Sequence, residues 1–75
     1  MQEWFSKALE ILKQCNIELD MSKVAIKVFD GTSAYFIFPT GLTVEVNFYE
    51  NTVYIYKIRG TIEFHLGVKP KVKAQ

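Results

Sequence analysis

Seventy-five residues make one domain near the lower size limit for folding on a hydrophobic core alone, because a chain this short buries only about 60% of its unfolded surface. A single Cys excludes an internal disulfide and a single His excludes a metal cluster of the usual kind, so oligomerisation or a lasting partner is the remaining support. The net charge of +1 is uneven: residues 1–66 carry six basic and eight acidic side chains and Lys69, Lys71 and Lys73 follow, so the body is no basic platform for nucleic acid.

Glu3 lies close behind Met1 and no small-residue cleavage site follows an apolar run, which argues against a secretory signal. No apolar run approaches the ~20 residues that span a bilayer. The expectation is a soluble cytoplasmic protein with no membrane contact.

Residues 2–15 read as a helix. Trp4, Phe5, Ala8, Leu9, Ile11, Leu12 and Cys15 recur at spacings of three and four, and Glu3 stands four residues before Lys7 in the favourable orientation. Asn16 suits the C-terminal cap, since Asn tolerates left-handed dihedrals. Residues 17–22 form a connector, with Ile17, Leu19 and Met21 alternating with polar neighbours.

Five strands are expected after it, at about 23–29, 34–38, 42–49, 53–59 and 61–66. Each alternates with a period of two or is rich in β-branched and aromatic residues. Asp30-Gly31 is a strong turn signal between the first two. With a turn at Asp30-Gly31 or Gly31-Thr32, Tyr35 and Ile37 share a side with Val24, Ile26 and Val28. The next joint, Pro39-Thr40-Gly41, leaves two readings. A turn centred on Thr40-Gly41 puts Ile37 with Val44 on the inner face; a three-residue loop puts Phe36 and Phe38 there instead. The first is preferred, because it gives all five strands one shared face. With Glu50-Asn51 as the third turn, Val46 faces Ile55 and Phe48 faces Val53. With Arg59-Gly60 as the fourth, Ile55 faces Phe64, Val53 faces Leu66 and Tyr54 faces His65.

The fold class follows: α+β, an N-terminal helix packed on one face of a five-stranded antiparallel β-meander. The domain covers 1–67, and 68–75 is expected to be a basic flexible tail. The inner face collects Val44, Val46, Phe48, Val53, Ile55, Ile62, Phe64 and Leu66. The outer face has no second helix to cover it. It is expected to expose Phe29, Phe36, Phe38, Tyr49, Tyr54, Tyr56 and Ile58 together, and a patch of that kind marks an interaction site. The functional expectation is a non-enzymatic module that homodimerises or binds a protein partner through this aromatic face.

The alternative is single-stranded nucleic-acid binding, with bases stacked on Tyr49, Tyr54 and Tyr56 and phosphates met by Lys69, Lys71 and Lys73. Glu45 and Glu63 beside the tyrosines disfavour a polyanion. Tyr54, Tyr56, Glu45, Glu63 and His65 offer acid–base groups on a flat surface, without a pocket signal, and such cross-strand pairs are ordinary sheet contacts. Cys15, on the apolar side of the helix, reads as an inert buried thiol. No catalytic residue, metal ligand or cofactor motif is assigned.

Overall fold

The computed structural model describes residues 3–57 in full, and residues 60–65 and 71–74 as backbone strands. Helix α1 runs Glu3–Gln14, as its periodicity predicts, with Ala8, Ile11 and Leu12 buried. Glu3 in the first turn and Lys13 in the last complement the helix dipole. The helix ends on Asn16 at φ 60°. The Ile17 N–H donates to the Leu12 carbonyl at 2.9 Å and the Asn16 N–H to the Lys13 carbonyl at 3.0 Å. This pair of bonds is the Schellman closure, and it satisfies two carbonyls the helix end leaves over. Ile17, Leu19, Met21 and Val24 of the connector pack against the core. A short 3₁₀ turn, Met21–Lys23, interrupts the connector; the Asp20 side chain caps it by accepting from the Ser22 N–H.

The strands are β1 (Ile26–Phe29), β2 (Ser33–Ile37), β3 (Thr43–Asn47) and β4 (Thr52–Lys57), joined in sequence as antiparallel neighbours. Their order and pairing agree with the expected meander. Beyond them only backbone is described: Gly60–His65 (β5) pairs with β4, and Lys71–Ala74 (β6) pairs with β5. Positions 1, 2, 58, 59, 66–70 and 75 lie outside the described residues, and with them half of the expected tail; its other half, 71–74, is the strand β6.

One loop decides which way half of the sheet faces. The Phe38 N–H donates to the Leu42 carbonyl at 2.8 Å and the Gly41 N–H to the Phe38 carbonyl at 2.9 Å. Residues 39–41 therefore form a three-residue loop, with Pro39 leading its turn and Gly41 at φ 91°. The three-residue loop, and not the preferred turn centred on Thr40-Gly41, is thus the one that forms. It pairs Phe36 with Val44 and Ala34 with Val46. Ala34 and Phe36, not Tyr35 and Ile37, thus lie under the helix. Because a one-residue change in a loop reverses every side chain beyond it, β1 is reversed as well. Phe29 pairs with Ala34 and Lys27 with Phe36. Ile26 and Val28 accordingly face outward, beside Ile37 and Tyr35.

The third joint is a four-residue loop between Asn47 and Thr52, so Val46 faces Val53 and Val44 faces Ile55. That register differs by two residues from the expected one, and a shift of two keeps the faces. Asn47 accepts from the Tyr49 and Glu50 N–H groups at 3.0 Å each, and Asn51 supplies a left-handed φ of 51°. At the fourth joint Ile55 faces Ile62, Val53 faces Phe64, and Tyr54 faces Glu63 rather than His65.

The buried core is therefore Ala8, Ile11 and Leu12 of the helix against Ala34, Phe36, Val44, Val46 and Val53 of the sheet. Phe36 is fully buried and meets Phe5 edge-on at 6.0 Å between ring centres. Burying one such ring contributes roughly 1.5–3 kcal/mol. Ala34 keeps β2 close beneath the helix, where a larger residue would lift it. Of the phenylalanines expected outside, Phe36 fills the core and Phe38 packs against it, while Phe29 lies on the helix side at 41% exposure.

Candidate functional site

The outer face of β1–β4 consists of a polar aromatic centre and an apolar margin. The centre is built on Glu45. One of its carboxylate oxygens accepts from the Tyr56 hydroxyl at 3.3 Å and the other from the buried Ser33 hydroxyl at 3.2 Å. Tyr35 and Tyr54 flank Glu45 on the neighbouring strands. The Tyr35 hydroxyl donates to Asp30 at 2.9 Å and the Tyr54 hydroxyl to Glu50 at 2.9 Å. Each phenol is thus held over the sheet by a carboxylate. The buried hydroxyls of Thr43 and Thr52 donate to the Gly41 and Glu50 carbonyls, as buried polar groups require.

Electrostatics follow this geometry. Burial, then the charge of Glu45, then its hydrogen bond push the Tyr56 phenol up to about 12. The Tyr35 phenol is raised chiefly by its bond to Asp30. Asp30 is held below its ordinary range because it accepts from the Ser33 and Thr32 N–H groups and from Tyr35. With their phenols raised, Tyr35 and Tyr56 stay neutral near pH 7 and act as donors to Asp30 and Glu45.

The apolar margin lies at β1. Ile26 is 48% exposed and Val28 44%, with half-buried Ile37 and Tyr35 beside them on β2. All four residues of β1 are exposed.

The expected partner-binding residues separate into three places. Tyr54 and Tyr56 are on the outer face, as expected. Phe36 and Phe38 are on the helix side, the first buried and the second packed against the core. Phe29 is also on the helix side, stacked on Trp4 at 5.6 Å and meeting Phe48 edge-on at 5.5 Å. Tyr49, 80% exposed, stands on the β3–β4 loop. Ile58 and Lys69 fall outside the described residues, and of Lys71 and Lys73 only strand pairing is described. The cause of the phenylalanine misplacement is the single loop at 39–41.

Sequence reasoning missed two features. One is the Ile26–Val28 margin, which follows once the loop is read as three residues. The other is a groove of about 730 Å³ between the helix and the two hairpin tips, walled by Trp4, Ile11, Phe29, Phe48 and Tyr49 and rimmed by Glu3, Lys7 and Glu10. Cys15 is half-buried and burial raises its thiol, which disfavours the nucleophilic thiolate. Among the described residues no group of His, Cys, Asp and Glu is placed to hold a metal ion, and no helix is long and apolar enough to cross a membrane.

No family model, no curated protein and no solved structure matches this chain.

Proposed function

We propose that this chain is a small non-enzymatic protein-interaction module, and that it homodimerises through the outer side of its sheet. The observation that carries the reading is the exposed strip of Ile26 and Val28, continuous with Ile37 and with the tyrosines around Glu45. Apolar area that a folded domain leaves in water at ~25 cal/mol per Å² is a reserve of association energy. A body of 75 residues gains more from such a contact than a large one would. The surface differs from the one expected from sequence, since its apolar content is aliphatic and its aromatic content is tyrosine.

Glu45, placed between tyrosines and bonded to Tyr56, argues against the nucleic-acid alternative, because stacked bases would bring phosphates toward a fixed carboxylate. A reducing compartment such as the cytoplasm fits a chain with one half-buried thiol.

Light scattering at micromolar concentration tests the reading. A mass of about twice 8.7 kDa, falling to the single mass in Val28→Glu, supports it. A monomer at every concentration refutes homodimerisation. A Val28→Glu variant with unchanged doubled mass moves the interface off this surface.

A further inference from the structure

The edge of the sheet at β1 has a hydrogen-bonding pattern that fixes how it can be used. The Asp30 N–H donates to the Ser33 carbonyl at 3.1 Å, so residue 30 directs its backbone groups toward β2. In an antiparallel ladder these directions alternate. Val28 and Ile26 therefore also bond inward, to Tyr35 and Ile37. Lys27 and Phe29 direct their N–H and C=O groups away from the sheet. Both residues are exposed, and among the described residues β1 has a strand neighbour on one side only.

We infer that β1 is the dimer seam: two copies pair β1 against β1 antiparallel about a two-fold axis at Val28, joining their sheets into one. This rests on the homodimer reading above and sets the contact at the β1 edge, where the outer-side strip of Ile26 and Val28 meets its copy across the seam. A two-fold pairing must bond outward-directed residues to each other, which leaves few registers. Centring on Lys27 puts two ammonium groups directly opposite, which is destabilising. It also needs the Ala25 N–H, already spent on the Ile37 carbonyl at 2.8 Å. Centring on Ile26 needs the same Ala25 N–H. Centring on Phe29 brings Lys27 opposite Gly31, a turn residue at φ 97° that cannot continue a strand.

Centring on Val28 has none of these faults. Lys27 of each copy exchanges both backbone bonds with Phe29 of the other, so the four outward groups of each strand are all satisfied. The ammonium of Lys27 lies on the same face as the opposite Phe29 ring, where a cation is favoured. On the outer face the two Val28 side chains meet across the axis, flanked by the two Ile26 side chains. The exposed strip becomes the middle of a continuous sheet. A Lys on an edge strand commonly discourages pairing; here it selects one register, since it repels its own copy and not Phe29.

Amide exchange resolved by residue, at high and low protein concentration, tests this. In the dilute monomer Ile26 and Val28 are protected and Lys27 and Phe29 exchange freely. At a total concentration of about 100 times the dissociation constant roughly a fourteenth of the chains remain monomeric, so Lys27 and Phe29 slow by on the order of 10-fold. Lys27→Pro, which removes one outward N–H and leaves the bonds to β2 intact, gives a folded monomer, because an edge strand accepts Pro at a position facing solvent. Lys27→Ala keeps the dimer. A dimer in which Lys27 and Phe29 still exchange freely overturns the seam and leaves the outer-surface reading standing. A monomer at all concentrations overturns both.

Discussion

The two sides of this sheet solve burial differently. Under the helix, Ala34, Phe36, Val44, Val46 and Val53 are buried without a polar atom in any side chain. On the other side, the buried residues are Ser33, Thr43 and Thr52, and each hydroxyl has its acceptor. The first side is held by apolar area and shape. The second is a lattice of oriented hydroxyls and phenols around carboxylates, modest in net energy because water offers the same bonds. A shape-filled face should fail abruptly when altered, and a hydrogen-bonded one gradually.

The most severe test of that contrast is deletion of Thr40. It would shorten the 39–41 loop to two residues and turn Tyr35 and Ile37 under the helix. The cooperative urea transition is expected to vanish; a transition at the wild-type midpoint would mean the loop does not set the facing of β2. Phe36→Ala comes next. It removes the largest fully buried side chain among the described residues and should cost about 3–5 kcal/mol, comparable with the whole stability of a small domain. A loss under about 1 kcal/mol in denaturant titration would displace Phe36 from the core.

Gly41→Ala should cost about 1 kcal/mol or more, all of it conformational. A Cβ there meets nothing within 4 Å, but φ is 91°. Unchanged stability would mean the loop relaxes to another turn.

The outer side yields the gentler effects, seen mainly in pH. Asp30 has a depressed folded value, so its contribution is present above the unfolded value near 3.8 and fades as pH falls through the lower folded one. Acid unfolding should therefore steepen below about pH 4, and Asp30→Asn should flatten that limb. An identical acid limb in the variant would remove Asp30 as its source. Tyr56 is the opposite case. Its folded value of about 12 lies above the ordinary 10, so its contribution is complete below pH 10 and lost as pH rises through about 12. Glu45→Gln should lower the Tyr56 ionisation while leaving the part due to burial, as read by tyrosinate absorbance. A Tyr56 that titrates alike in both proteins would break the link to Glu45.

Much of this architecture was legible in the chain. The spacing of Trp4 to Leu12 located the helix, and Asn16 its end. Of the two turns open at 30–32 the observed register is that of Gly31-Thr32, with Val28 opposite Tyr35, and either would have put those two on one side. The facing of β3 and β4 was also readable, because the observed register differs from that of a Glu50-Asn51 turn by two residues, which preserves the faces. What sequence could not settle was whether Pro39-Thr40-Gly41 carried two loop residues or three. Both are chemically sensible, and local preference alone does not separate them. Yet the choice exchanged Phe36 for Tyr35 in the core and changed which residues meet water on two strands. Alanine at 34 was the available clue. Small beside bulky Phe36 suits a strand close under a helix, whereas Tyr35 would have buried a hydroxyl.

Trp4, the single tryptophan, sits in the first turn of the helix with its ring 10° from parallel to that of Phe29 at the end of β1. Its emission is thus a native optical gauge of whether the outermost hairpin is seated on the helix. If that hairpin lifts before the rest of the sheet melts, tryptophan fluorescence will register the event while the far-ultraviolet helical signal is still intact, and the protein will announce its first step of unfolding without any added label.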